Sequence, residues 1–127
     1  MNLLLDTHAL IWFLSGEESL SQKAREIIED EKNQNFISVG SIWEIAIKLS
    51  LGKIELKNGF NNFLKLIENN GFEILPISFS HLMVLSELEF IHRDPFDRLI
   101  IAQAISEEMN IITKDEHIRN YKCKTLW

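Results

Sequence analysis

The stretch NLLLDTHALIWFL at residues 2–14 changes its hydrophobic pattern at a single carboxylate, Asp6. Residues 2–5 contain three consecutive leucines, and such an unbroken apolar run is typical of a strand buried on both faces. Residues 7–14 predict a short helix that follows at once. Asp6 therefore ends a buried strand and precedes a helix. Whether Asp6 belongs to a functional site depends on whether other acids of the chain lie near it.

Short apolar strands alternate with helices along the rest of the sequence. Strands are predicted at 35–38, 72–78 and 111–113, with a short edge strand within 123–127. Helices are predicted at 19–32, 41–52, 60–71, 79–89 and 94–110. This alternation predicts an α/β fold in one domain over residues 1–127, with a mainly parallel central sheet of four to five short strands and helices on both faces. The order of the strands is not readable from the sequence.

Capping residues set the predicted helix boundaries. Ser19 with Gln22, and Ser41 with Glu44, have the spacing of capping boxes. The other predicted boundary residues are the N-caps Ser78 and Asp94, Pro95 at a first helical position, and the helix ends Gly52, Gly71 and Asn110.

The composition fits a globular domain in a reducing compartment. The chain is 46% hydrophobic and 25% charged, and Cys123 is its only cysteine, so no intrachain disulfide can form. No apolar run is long enough for a membrane span, and the N-terminus does not resemble a secretory signal. We therefore expect a cytoplasmic protein without a membrane partner. The net charge of −6 argues against a nucleic-acid partner, unless the acids hold cations that reverse the local field.

Four acids occupy equivalent places in the predicted elements. Asp6 and Asp115 follow strands, whereas Glu44 and Asp97 lie in the first turns of helices. The carboxyl ends of parallel strands, and the helix starts after them, share one edge of the sheet, where ligands of open α/β sheets bind. We therefore expect the four acids to lie close together.

Each acid also has a purely structural explanation. Acids at helix N-termini accept hydrogen bonds from free N–H groups, and each such acid stabilises its helix by about 0.3–1 kcal/mol. Capping acids gathered at one edge would nevertheless repel one another, at a cost on the order of 4 kcal/mol per pair at about 4 Å. Such a cluster favours a hard cation. Oxygen ligands without cysteine or paired histidines indicate Mg²⁺, with Mn²⁺ as a substitute, rather than zinc.

Four segments in this order give the chain its resemblance to a known family: LLLDTHALIWFL, SIWEIAIKLSLGKIEL, HRDPFDRLIIAQA and IITKDEHI. The chain resembles the PIN-domain ribonucleases, and among them the VapC-type toxins of type II toxin–antitoxin pairs. The similarity runs from Leu3 to about Tyr121. It implies an acidic site formed by Asp6, Glu44, Asp97 and Asp115, with Thr7 and Thr113 at the small hydroxyl positions beside two of these acids.

The resemblance implies a Mg²⁺-dependent endoribonuclease that acts as the toxin of a toxin–antitoxin system and hydrolyses RNA with a metal-activated water. We expect Asp6 and Asp97 to bind the metal directly. Glu44 and Asp115 would complete its coordination, and Glu44 is also a candidate general base. Thr113 would orient Asp115 through its hydroxyl, with a local turn contact as the alternative. The sequence leaves open whether the site holds one metal ion or two. The implied partners are an RNA substrate, a small cognate antitoxin and a second copy in a homodimer.

Other conspicuous side chains have simpler explanations. The four histidines lack metal-ligand spacing, which favours surface or packing roles. Trp12 and Trp43 lie on apolar helix faces, which favours a core or subunit-interface position over base stacking. Four basic residues near the motifs could contact RNA phosphates, although a solvated position explains each of them: Lys48, Arg93, Arg98 and Lys114.

Other protein classes fit less well. A receiver domain is also a small acidic α/β protein with a Mg²⁺ pocket, but Asp6 has no adjacent acid and residues 72–78 are not followed by an aspartate. The HRD sequence at 92–94 occurs in kinase catalytic loops, but position 99 is leucine rather than asparagine and the chain is too short. A catalytically silent binding module with the same fold stays open, although the complete acid set argues against it.

The segment HRDPFDRL at 92–99 assigns different roles to its two aspartates. A residue before proline is disfavoured in helical geometry, whereas proline suits the first helical position. Asp94 is therefore predicted to be an N-cap with a supporting, structural role. Asp97 falls at the third helical position, on the exposed first turn, and is predicted to be catalytic.

Overall fold

In the computed structural model, which describes residues 1–127, five strands alternate with seven helices. The strands are β1 (Asn2–Leu5), β2 (Gln34–Ser38), β3 (Glu73–Leu75), β4 (Asn110–Ile112) and β5 (Thr125–Leu126). The helices are α1 (Thr7–Ser15), α2 (Gln22–Glu29), α3 (Val39–Ser50), α4 (Gly59–Asn69), α5 (Phe79–Glu87), α6 (Pro95–Glu107) and α7 (Glu116–Arg119). The predicted α/β class is confirmed.

All neighbouring strands are parallel, in the order β3-β2-β1-β4-β5. From the central strand β1 the chain adds β2 and β3 on one side, then crosses over to add β4 and β5 on the other. The strand order therefore reverses between β1 and β4, and ligands of open α/β sheets bind at such switch points. Asp6 lies there, and its N–H donates a hydrogen bond to the carbonyl of Ile112 at 3.1 Å.

Successive leucines of β1 pack on opposite faces of the sheet. Leu3 and Leu5 belong to a core cluster with residues from α1, α2, α3 and α4, whereas Leu4 belongs to a second cluster with residues from α6 and α7. All three leucines are fully buried. Helices thus cover both faces of the sheet, as the continuous apolar run of β1 predicts. None of the helices combines the length and apolar character that crossing a membrane requires.

The second helix is shorter than predicted. It begins at Gln22, and its N-cap is Ser21, whose hydroxyl accepts a hydrogen bond from the Ala24 N–H at 3.0 Å. The capping box predicted for Ser19 is therefore wrong, because Ser21 lies closer to the free N–H groups of the first turn.

The helix that carries Glu44 begins directly after its strand. Ser38, the last residue of β2, is the N-cap of α3 and accepts a hydrogen bond from the Gly40 N–H at 3.0 Å. The capping box predicted for Ser41 and Glu44 is therefore wrong, and Glu44 lies in the second helical turn. Gly40 permits a close approach to α6, since a Cβ atom there would meet Leu99 Cδ2 at 2.5 Å. This packing brings the helix of Glu44 against α6.

In the C-terminal third of the chain, one predicted helix boundary is confirmed and another is wrong. Asp94 is the N-cap of α6 and Pro95 its first residue, as predicted. The helix ends at Glu107 rather than Asn110, because Glu108 adopts left-handed backbone geometry with φ 56°, and Asn110 opens β4. The sequence does not predict α7, since four residues are too few to show helical periodicity.

Candidate active site

Asp6 connects β1 to α1 and is held by hydrogen bonds on both carboxylate oxygens. As the N-cap of α1 it accepts a hydrogen bond from the Ala9 N–H through Oδ1 at 2.8 Å. Its Oδ2 accepts one from the Thr113 hydroxyl at 2.5 Å. The side chain is only 5% exposed, and this burial raises the pKa of Asp6 although the two hydrogen bonds oppose the rise. The carboxylate is thus fixed at the carboxyl edge of the sheet.

Thr113 links the ends of two neighbouring strands. Its hydroxyl donates to Asp6 and accepts a hydrogen bond from the backbone N–H of Asp115 at 3.0 Å. Thr113 thus contacts Asp115 through its hydroxyl, as expected, and the contact is the local turn alternative, made to the Asp115 backbone and not to its carboxylate. The Asp115 carboxylate instead caps α7, accepting a hydrogen bond from the His117 N–H at 2.7 Å.

Glu44 is buried and bonded through both carboxylate oxygens. The Thr7 hydroxyl donates to its Oε1 at 2.7 Å, and Lys48 Nζ lies 2.8 Å from its Oε2. Ser41 Oγ lies 3.1 Å from the same Thr7 hydroxyl. Because Thr7 directly follows Asp6 in the chain, this hydroxyl network connects Glu44 to the switch point.

Asp97 lies in the first turn of α6, as predicted, beside other negative charges. Asp94 Oδ1 accepts hydrogen bonds from the N–H groups of Phe96 and Asp97, at 2.9 and 3.0 Å, and thereby caps the helix. Desolvation and the charge of Asp94 raise the pKa of Asp97 from 3.8 to about 6, and the charges of Asp115 and Asp6 add to the rise. Asp115 also raises the pKa of Asp6. The structure therefore brings Asp6, Asp97 and Asp115 within electrostatic reach of one another.

His92 contacts this site, which the sequence does not reveal. Its Nε2 lies 3.3 Å from Asp97 Oδ2, and its Nδ1 lies 2.8 Å from the Tyr121 hydroxyl. The Tyr121 oxygen accepts a hydrogen bond from Arg98 at 2.9 Å, so its own proton is available for Nδ1. We therefore assign the His92 proton to Nε2, facing Asp97. The His92 ring also stacks on His117 at a centroid distance of 5.3 Å.

The four basic residues near the motifs have different environments. Arg98 is buried, donates to two backbone carbonyls and lies over an aromatic ring, so it stabilises the fold and does not reach solvent. Lys48 pairs with Glu44. Arg93 is exposed. Lys114 is also exposed, and its Nζ lies 5.8 Å from the centroid of the Trp12 ring.

No group of three or more His, Cys, Asp or Glu side chains is already arranged as a set of metal ligands. The donor chemistry nevertheless fits a hard cation. Asp97 uses Oδ2 toward His92 and Asp115 uses Oδ1 toward the His117 N–H, which leaves one carboxylate oxygen on each aspartate without a bond to the protein. Oxygen donors of this kind are the ligands that Mg²⁺ prefers.

The raised pKa of Asp97 predicts how pH affects stability in metal-free buffer. A carboxyl group with a raised folded-state pKa favours the folded state while it is protonated, and this contribution is lost as pH rises from about 4 through about 6. Asp97→Asn should therefore raise the free energy of unfolding above pH 7 by about 1–2 kcal/mol, allowing for partial solvent screening. The difference should vanish below pH 4. Chemical unfolding in EDTA at both pH values measures it, with the exposed Glu55→Gln as control. Equal stability of Asp97→Asn and the unmutated protein above pH 7 would contradict the prediction.

Several solved structures share this architecture. A chain of VapBC2 from Rickettsia felis, crystallised bound to a DNA fragment from their promoter, matches with a TM-score of 0.73 and 19% identity, covering 100% of this chain and 99% of that one. VapBC-1 from nontypeable Haemophilus influenzae matches with a TM-score of 0.71 and 15% identity, covering 99% and 97% of the two chains. The PIN domain endonuclease Utp24 matches with a TM-score of 0.53 and 14% identity, covering 93% and 74%. At these identities the matches show a common fold.

A search of curated protein sequences found no match. The family model described as the PIN domain matches residues 3–123, which include all four predicted site acids. The chain therefore belongs to the PIN-domain family.

Proposed function

We propose that this protein is a metal-dependent endoribonuclease and the toxin of a toxin–antitoxin pair. PIN domains are generally nucleases. The observation that carries the proposal is the group formed by Asp6, Asp97 and Asp115 at the switch point, where burial raises the pKa of Asp6 and of Asp97 and the charge of Asp115 adds to both rises. Sites that bind cations gather carboxylates in a cleft, and these carboxylates repel one another when the cation is absent.

Mg²⁺ is the proposed cofactor, and Mn²⁺ its substitute, held by Asp6, Glu44, Asp97 and Asp115. When bound, such an ion neutralises phosphoryl oxygens and lowers the pKa of water enough to supply a nucleophile at neutral pH. The free oxygens of Asp97 and Asp115 support this assignment.

The neighbouring side chains orient these acids. Thr113 and the Ala9 N–H fix both oxygens of Asp6. His92 fixes one oxygen of Asp97. Thr7 and Lys48 hold Glu44, which we assign the role of orienting the attacking water, and its role as general base stays a prediction.

A protein partner is proposed from the structural neighbours. The VapBC and FitAB structures that this fold resembles are complexes with an antitoxin partner. An antitoxin could neutralise this chain by covering the groove above the aspartates or by presenting a basic side chain to them. Such a side chain would relieve the same repulsion that a cation relieves.

The nuclease proposal predicts a chelator-sensitive cleavage with defined ends. RNA incubated with the protein should be cut in Mg²⁺ or Mn²⁺, left intact in EDTA, and cut again when the metal is restored. Because a water nucleophile does not need the RNA 2′-hydroxyl, the products should carry 5′-phosphate and 3′-hydroxyl groups. End mapping across total cellular RNA measures both the chemistry and the cleavage site. Products with 2′,3′-cyclic phosphate, or cleavage unaffected by EDTA, would contradict the mechanism, and intact RNA under all metals would favour a silent binding module.

Asp94, the N-cap of α6, and Asp97, in the first turn of α6, should differ in their effect on RNA cleavage. Asp94→Asn keeps an acceptor for the capping hydrogen bonds and should keep most activity, whereas Asp94→Ala should lower the free energy of unfolding by about 1 kcal/mol. Asp97→Asn should fold normally, bind Mg²⁺ more weakly and lose cleavage. Cleavage rates and melting temperatures of the three variants test this assignment. An inactive Asp94→Asn beside an active Asp97→Asn would reverse it.

An exposed apolar face on α5 supports the proposed homodimer. Phe79, Leu82 and Met83, at helical spacing, are 88%, 45% and 69% exposed. Apolar patches of this kind mark interaction sites in water-soluble domains. Trp43 is also 59% exposed, so the core position predicted for it is wrong and the interface alternative remains. Trp12, in contrast, packs against the core.

The dimer proposal predicts that polar substitutions on α5 change the mass in solution. The unmutated protein should be a dimer at micromolar concentration by light scattering. Phe79→Ser combined with Met83→Ser should yield a folded monomer, because the apolar surface that drives association is removed. Leu51→Ser is the matched control, since Leu51 is 61% exposed and lies on the loop after α3. A monomeric unmutated protein, or a double variant that stays dimeric, would contradict the proposal.

A further inference from the structure

A small pocket opens beside the aspartates at the switch point. It has a volume of about 170 Å³ and is lined by Asp6, His8, Trp12, Lys114 and Asp115. Its walls therefore combine two site acids with an aromatic ring, an imidazole and a lysine. The proposed metal site accounts only for the acids.

We propose that this pocket binds an unpaired nucleobase of the RNA strand, next to the phosphate that is cleaved; the inference rests on the proposed nuclease function. An unpaired base exposes its planar faces, and proteins that bind single strands stack such bases on aromatic side chains. The pocket offers one such ring directly beside the acids.

The Trp12 ring is held firmly enough to serve as a stacking surface. One part of the half-buried side chain packs against the core cluster beneath the sheet. Trp127 lies edge-on to it at a centroid distance of 6.0 Å. The exposed His8 ring is stacked on it at 5.4 Å, with an interplanar angle of 29°. The two rings thus form a stack, and a base would extend this stack or take the place of the exposed His8 ring against Trp12.

Once the proposed cation neutralises Asp6 and Asp115, the charges of the pocket favour a nucleotide over a basic peptide. Lys114 Nζ lies 5.8 Å from the Trp12 centroid, so the aromatic surface carries a cation on an exposed side chain. A lysine or arginine approaching this ring would be repelled by Lys114, whereas the phosphate of a stacked nucleotide would be attracted. An aromatic ligand with a negative charge satisfies both features.

The position of the pocket also fixes which nucleotide it would hold. Asp6 and Asp115 line the pocket and belong to the proposed metal site. A base stacked on Trp12 therefore belongs to a nucleotide that flanks the reacting phosphate. Stacking there would orient the strand across the acids and would exclude duplex RNA, whose bases are already stacked on each other.

Binding of short RNA to the cleavage-silent Asp97→Asn variant in Mg²⁺ tests the inference. The probes are fluorescein-labelled single-stranded homo-oligoribonucleotides of adenosine, cytidine or uridine, and a duplex of equal length, with binding measured by fluorescence anisotropy. Adding Trp12→Leu should weaken single-strand binding by about tenfold, the usual effect of losing one stacked base. Trp12→Phe, which keeps an aromatic face, should retain most of the affinity. Lys114→Gln should weaken binding severalfold, and the exposed Lys53→Gln, far along the chain, should not.

Intrinsic fluorescence gives a second measurement on a variant that preserves packing. A single strand that stacks on Trp12 should quench the tryptophan emission, and this quenching should disappear in Trp12→Phe. Should Trp12→Leu melt early because of its core contacts, Trp12→Phe and Lys114→Gln decide the question.

Four binding outcomes would overturn the inference. They are no single-strand binding to the Asp97→Asn variant even at a Mg²⁺ concentration that saturates its metal site, equal binding of duplex and single strand, unchanged binding after Trp12→Leu or Lys114→Gln, and a Trp12→Leu variant that binds a cognate antitoxin protein more weakly but RNA as before. In an otherwise unmutated protein, Trp12→Leu should raise KM for RNA cleavage with little change in kcat. Cleavage with an unchanged KM would refute the pocket and leave the nuclease. Binding that depends on Trp12 without any cleavage would refute the nuclease and leave the pocket.

Discussion

The hydrogen bond from Thr113 to Asp6 joins residues 107 positions apart and organises the edge of the sheet. It forms because β1 and β4 are neighbours, with Leu5 paired to Ile112. A carboxylate buried without partners would be strongly destabilising, and Thr113 supplies the partner that the α1 N–H groups do not. The same hydroxyl accepts a hydrogen bond from the Asp115 N–H and so positions Asp115. The orientation of Asp6 and the start of α7 therefore depend on one hydroxyl group.

Close to this hydrogen bond, carboxylates repel one another, and the fold alone does not require this repulsion. Desolvation and the charge of Asp94 raise the pKa of Asp97, so an asparagine at this position would favour folding more at neutral pH. Asp94 already caps α6, so the helix does not need a second acid in its first turn. Buried like charges are retained where their effect on a ligand outweighs their effect on stability. The distinction between Asp94 and Asp97 is thus an energetic one: one acid is satisfied by the helix, and the other is not.

The features that the sequence predicted correctly depend on short-range chemistry. An apolar run that stops at Asp6, and a proline after Asp94, define a strand end and a helix start without knowledge of distant residues. The choice of Ser38 over Ser41 as the α3 cap was not predictable, because both have the right side chain and the Ser41 environment depends on Thr7, 34 positions away. His92 was missed for the same reason, since its partner Tyr121 is supplied by the far end of the chain. Strand order too is absent from local patterns.

The net charge of −6 illustrates a similar limit on what the sequence alone predicts about function. Total charge predicts whether a whole surface attracts RNA, but it does not describe a cleft. Here Arg98 is buried, and Lys48 is paired with Glu44, so two of the four basic residues near the motifs do not add free positive charge to the surface. Arg93 and Lys114 remain exposed, and Lys114 lies over an aromatic ring rather than in a basic patch. In the proposed site, affinity for RNA would come from cations held by the acids and from stacking, both of which act at short range. A negative protein can therefore recognise a negative polymer, provided that the contacts lie within a single small cleft.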